Sequence, residues 1–155
     1  MAARRSAGLL LFRRVDGDLE VLLAHMGGPF WARKDAAAWT LPKGEYTADE
    51  TPLAAARREF VEELGVPVPP GEVVELGEVR QSGGKTVTAF ALEADLDPAK
   101  IVPGTFELEW PPRSGRTQSF PETDRVAWFD LDAAREKVVT AQVAFLERLE
   151  AALRD

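Results

Sequence analysis

Four charged residues crowd into one short run of the chain, REFVEEL: Arg58, Glu59, Glu62 and Glu63. On an α-helix, positions i, i+3 and i+4 share a face, so the three glutamates project their carboxylates to one side. Like charges at these spacings repel in an isolated helix, and a divalent cation is the natural counterweight. Mg²⁺ favours hard oxygen ligands, supplied by one or two carboxylates together with substrate phosphates. Such a cluster suits the hydrolysis of a diphosphate. The metal acts as Lewis acid and template, and with more than one metal the attacking and leaving oxygens are both stabilised.

The surrounding spacing is as constrained as the charges. Gly44 is followed by five residues and Glu50, then by seven residues and Arg58-Glu59, apolar Phe60, Glu62-Glu63, Gly65 and apolar Val66. A solvated Glu/Arg-rich helix face would account for the charges, but not for Gly44, Glu50 and Gly65. These 23 residues match every fixed position of the Nudix box, and through them the chain resembles the Nudix hydrolase family. The resemblance implies an α/β fold, an α/β/α sandwich with a mixed β-sheet flanked by helices. It also implies cleavage of a nucleoside diphosphate linked to a further group, with Mg²⁺ or Mn²⁺ as cofactor. Carried over position by position, Glu59, Glu62 and Glu63 are the implied metal ligands, joined by the backbone carbonyl of Gly44. Glu62 and Glu63 rank ahead of Glu59, which in some members mainly orients water. Arg58 is implied to orient the glutamates through ion pairs, and Glu50 to support the junction of loop and helix.

The box does not settle the general base. Glu122 stands six residues before Trp128, similar to an arrangement in animal-type diadenosine tetraphosphate hydrolases, and is a candidate fourth metal ligand or base. Glu107 and Glu109 compete with it, and a solvated surface role is open for all three. Trp39-Thr40-Leu41-Pro42-Lys43-Gly44 resembles the WxxPKG stretch of the asymmetric diadenosine tetraphosphate hydrolases, which usually continue with His where this chain has Glu45. The Pro of ADP-ribose hydrolases is absent from Arg80–Gly84, and Tyr46 is the only tyrosine. The arrays of NADH and coenzyme A hydrolases are missing as well. The resemblance therefore favours a dinucleoside polyphosphate such as diadenosine tetraphosphate. The alternatives are a house-cleaning nucleoside triphosphate pyrophosphatase and a nucleotide-sensing domain without turnover.

Lys43 is a candidate phosphate contact, as are Arg33 and Lys34, with Arg113 and Arg116 in a similar position. Trp31 is a candidate for stacking on a base, with Phe30 and Trp39 as lesser ones; the competing role is anchoring a loop. His25, the sole histidine, lies at a strand end and reads as structural.

Several elements must position these groups. Ser6–Arg14 reads as a strand buried on both faces, joined through Asp16-Gly17-Asp18 to a second strand, Leu19–His25. Met26–Ala38 reads as a loop. The box helix starts near Thr51-Pro52, a capping residue followed by a residue suited to the first turn, and stops at Gly65. Strands are expected over Val73–Gln81, Thr86–Asp95, Phe106–Trp110 and Val126–Phe129. Pro111–Pro121 reads as a loop, and Leu131–Arg154 as helix broken near Val139-Thr140.

At 155 residues the chain reads as one domain. It has 45% hydrophobic residues, 29% charged residues and no cysteine, which excludes disulfides and thiolate chemistry. A net charge of −7 argues against a nonspecific nucleic-acid or membrane-surface binder. It leaves a small phosphorylated substrate open, because bound metal would invert the local field. No apolar run approaches the ~20 residues of a membrane span. The stretch Ala7–Phe12, interrupted by Arg13-Arg14, is too short for a signal peptide. The expected location is cytoplasmic.

Overall fold

The apolar run Ala7–Phe12 lies at the centre of the main sheet in a computed structural model that describes residues 4–154. It forms the middle of β1 (Arg5–Val15), which pairs antiparallel with β2 (Asp18–Met26). Two short strands follow, β3 (Trp39–Thr40) and β4 (Lys43–Glu45), then helix α1 (Pro52–Leu64). The antiparallel pair β5 (Val73–Gln81) and β6 (Lys85–Glu93) comes next, with β6 parallel to β1. A separate ribbon of β7 (Thr105–Glu109) and β8 (Thr117–Pro121) precedes β9 (Thr123–Asp130), which returns antiparallel along β2. The chain ends in α2 (Leu131–Lys137) and α3 (Val143–Ala152).

Successive side chains of a strand face opposite sides of the sheet, and β1 uses both. Leu9 and Leu11, with Leu22 and Ala24 of β2, pack on Ala55, Ala56, Phe60 and Leu64 of α1. Leu10 and Phe12, with Val21 and Leu23, pack on Leu131 and Ala134 of α2 and on Phe145, Leu146 and Leu149 of α3. The result is the expected α/β/α sandwich with a mixed sheet. Each fully buried Leu or Phe contributes about 1.5–3 kcal/mol to it.

The box helix starts and stops as its sequence dictates. Thr51 caps it, its hydroxyl accepting from the Ala54 amide at 3.2 Å, and Pro52 fills the first turn. Gly65 ends it in the left-handed region, φ 67°, with its N–H donating to the Val61 carbonyl at 2.8 Å. The expected break after α2 is present, with a short 3₁₀ turn at Thr140–Gln142.

One expectation needs correction. Pro111–Pro121 is not loop throughout, because residues 117–121 form β8, paired in register with β7 from Thr105↔Pro121 to Glu109↔Thr117. Both strands of this ribbon are largely exposed, so no buried alternation marks β8 in the sequence. Among the described residues no helix is long and apolar enough to cross a membrane.

Candidate active site

Strand pairing brings the glycine of the box to the glutamates. β4 lies antiparallel on the first half of β1, with Gly44 opposite Ala7. Ala7 belongs to the core under α1, and Gly44 faces the same layer. The Glu59 carboxylate rests against the Gly44 backbone, in space that any β-carbon at position 44 would fill. On the neighbouring residue, the Lys43 amide donates to Glu63 Oε2 at 3.3 Å.

Arg58 gathers the acids around it. Its Nε and Nη2 donate to the two oxygens of Glu50, each at 2.8 Å, in a bidentate fork. Its Nη1 donates to Glu59 at 2.8 Å and to Glu62 at 3.1 Å, and Nη2 also reaches the Glu45 carbonyl at 3.3 Å. Glu50 thus fixes the guanidinium, and the guanidinium fixes the glutamates. Hydrogen bonding to Glu50 is the largest reason the Arg58 guanidinium is held above its ordinary range. The same bonds pull the Glu50 carboxyl down.

Glu122 enters from the other side. Its amide donates to the Gly104 carbonyl at 2.8 Å, while the Gly104 amide donates to the Glu63 carbonyl at 3.4 Å. A β-carbon on Gly104 would lie 2.7 Å from the Glu62 carbonyl oxygen and 3.6 Å from Glu122 Oε2. Gly104 is therefore the close contact between the end of α1 and Glu122. Sequence reading missed it; its only signal was the turn dipeptide Pro103-Gly104.

The electrostatics tie the four acids together. The Glu63 carboxyl is pushed up to about 8, chiefly by burial and then by Glu59 and Glu122, with Lys43 opposing. Burial raises Glu59 as well, against Arg58, and Glu62 and Glu122 add to the rise. Glu122 is raised by burial and then by Glu62. Burial lowers the Lys43 ammonium, opposed by Glu63 and reinforced by Lys85.

The remaining candidates lie in other contacts. Glu109 accepts from the Arg113 amide at 3.1 Å at the tip of the β7–β8 ribbon, and Glu107 is exposed. Arg113 and Arg116 are exposed at that tip. Trp31 packs on the core beneath α2 and α3, with the Lys34 ammonium 5.0 Å from its ring centre. Arg33 is exposed. No hydrogen bond or ion pair among the described residues joins Trp31, Arg33 or Lys34 to the four acids. Trp39 is buried, and Phe30 is exposed, edge-to-face with Trp110 at 5.3 Å. His25 is fully buried and hydrogen-bonded at both ring nitrogens.

The donor set suits a hard cation. Glu59, Glu62, Glu63 and Glu122 offer carboxylate oxygens that repel one another, and three of them are raised by burial, which a bound divalent ion would relieve. Among the described residues no three acidic or histidine side chains stand in a ready-made cage. Arg58 takes up Glu59 and Glu62 instead, so ligation requires those carboxylates to share or leave the guanidinium.

Comparison with known proteins agrees with this architecture. A model of the NUDIX domain matches residues 2–149, while no curated protein matches. Among solved structures, the chain is similar to a C. elegans Ap4A hydrolase binary complex, at 22% identity and TM-score 0.67, with 97% of each chain covered. It is also similar to the NUDIX domain of Shewanella oneidensis NrtR complexed with ADP ribose, at 19% identity and TM-score 0.66, covering 99% of this chain and 90% of that one. A third is the M. smegmatis Nudix hydrolase RenU, at 25% identity and TM-score 0.62, with 99% and 89% covered. Matched by the family model along nearly its whole length and carrying an intact box, the chain belongs to the Nudix family and is a pyrophosphohydrolase.

Proposed function

We propose that the protein hydrolyses a phosphoanhydride bond of a nucleoside diphosphate-X in the presence of Mg²⁺, with dinucleoside polyphosphates such as diadenosine tetraphosphate as the favoured class. The observation that carries this reading is the approach of Glu122 to the box glutamates through Gly104. A fourth carboxylate close to the box glutamates would add an oxygen ligand for a metal and a group to accept a proton from water.

Glu59, Glu62, Glu63 and the Gly44 carbonyl would hold the metal, which supplies Lewis-acid stabilisation of the leaving phosphate. Arg58 keeps Glu59 and Glu62 aligned. Lys43 turns its backbone amide to Glu63 and offers its ammonium to a phosphate chain. Glu122 holds or accepts the proton of the attacking water, or completes the ligand set. Trp31, Arg33 and Lys34 are assigned to the nucleoside and outer phosphates, on the loop before the WTLPKG stretch. A cytoplasmic location and a small nucleotide as substrate, with no stable nucleic-acid partner, complete the reading.

A panel of diadenosine tetraphosphate, ADP-ribose and nucleoside triphosphates, incubated with Mg²⁺ and resolved by chromatography, tests it. ATP plus AMP from diadenosine tetraphosphate is the expected product pair. Pyrophosphate from triphosphates alone would overturn the substrate assignment. Tight binding of one compound without turnover of any would overturn the hydrolytic one.

A further inference from the structure

The strand that begins directly after Glu122 contains a bulge, and its extra residue is turned onto the only histidine of the chain. Along β2 and β9, His25 lies opposite Arg125 and Met26 opposite Thr123, so Asp124 has no partner. A bulge of this kind bends its strand and re-aims a side chain. Here the Asp124 carboxylate meets His25 Nδ1, its oxygens 2.9 and 3.0 Å away. The imidazole is fully buried, edge-on to Trp39 at 5.0 Å, and its Nε2 lies 2.6 Å from the Lys34 carbonyl oxygen. Both ring nitrogens therefore have an oxygen within hydrogen-bonding reach. Arg125 adds a 3.3 Å ion pair to Asp124 from the exposed side.

The clamp borders the candidate site. Thr123, beside the bulge, is buried, and the Glu122 carbonyl accepts from the Gly27 amide at 3.0 Å. Residues 25–27 thus contact both ends of residues 122–124, the Gly27 amide at the Glu122 carbonyl and the His25 ring at the Asp124 carboxylate.

We propose that His25 is a positioning residue for the hydrolysis, acting through Asp124 to fix the start of β9 and with it the direction of Glu122, the residue immediately before that strand. The inference rests on the reading that Glu122 takes part in turnover. A double-mutant cycle of His25→Gln and Glu122→Gln tests it, with kcat, nucleotide KM and the Mg²⁺ concentration for half-maximal rate measured on each folded variant. His25→Gln is expected to lower kcat about 10- to 100-fold, the usual effect of removing a partner behind a metal ligand. The Mg²⁺ requirement rises and KM is unchanged. In the Glu122→Gln background the same substitution changes kcat by no more than about twofold, because the effects of residues acting as one unit do not add. Losses that multiply, or a change confined to KM, would overturn the proposal. Full turnover by Glu122→Gln alone would instead remove the underlying role of Glu122. If circular dichroism shows that His25→Gln does not fold, Asp124→Asn, which keeps the side-chain shape, enters the same cycle with the same expected and contrary outcomes.

Discussion

The Glu59 carboxylate occupies the space next to Gly44 that a β-carbon would need. Gly44→Ala is therefore expected to push Glu59 out of position. Overpacking of this kind costs about 1–3 kcal/mol of stability, while kcat is expected to fall about 10- to 100-fold through the displaced carboxylate. Parallel urea unfolding and steady-state kinetics check this, and a loss of stability without a loss of rate would separate Glu59 from the chemistry.

Arg58→Lys keeps the charge but loses the bidentate fork to Glu50 and the simultaneous reach to Glu59 and Glu62. The Arg58 side chain is 36% exposed, so solvent screening makes the ion pairs weak contributors to the fold. The expected result is a Tm within a few degrees of wild type, about the shift of 1 kcal/mol or less, together with a kcat at least about 10-fold lower. Differential scanning fluorimetry alongside turnover distinguishes this from a purely structural role.

Glu63 sets a pH dependence with a definite sign. Its folded-state carboxyl is pushed up to about 8 from an ordinary 4.5, chiefly by burial. A raised carboxyl contributes stability fully present below 4.5 and lost as pH rises through about 8. The metal-free protein should thus lose Tm across that window. Metal binding must displace the proton, so the stabilisation by Mg²⁺ should grow over the same range. Melting curves with and without Mg²⁺ from pH 5 to pH 9 check both trends, and Glu63→Gln should flatten them.

Gln142 anchors the WTLPKG stretch from the opposite layer. Buried at 1% exposure, it accepts from the Leu41 amide at 3.0 Å and donates to Thr40 Oγ1 at 2.8 Å and to Gln81 Oε1 at 3.0 Å. Gln142→Leu leaves buried partners unsatisfied, at a cost of about 1–3 kcal/mol. Urea unfolding measures the loss.

The box helix could be read in the sequence because its signals are local: Thr51 and Pro52 to start it, Gly65 to stop it, and Leu64 and Phe60 at helical spacing for the buried stripe. Val73–Gln81 was equally legible, bounded by turn residues on both sides. β8 was not, since its residues TQSFP follow a Pro- and Gly-rich run and pair only with an exposed ribbon. The convergence at the site was partly hidden for a different reason. Which residue bulges in β9 depends on its register with β2, and the value of Gly104 depends on where the Glu62 carbonyl and Glu122 meet. Both are properties of the folded pair, and neither strand carries them alone. Trp31 is partly buried against the core beneath α2 and α3, so the loop-anchoring role that its type also allowed is part of its setting.

The most direct test is hydrolysis of diadenosine tetraphosphate as a function of Mg²⁺, compared between wild type and Glu63→Gln. The expected result is no turnover without the metal, saturable turnover with it, and loss of at least about 100-fold in the variant at every Mg²⁺ concentration, in line with the loss of a group that stabilises the transition state. Turnover by wild type in the presence of chelator, or an unimpaired Glu63→Gln enzyme, would contradict it.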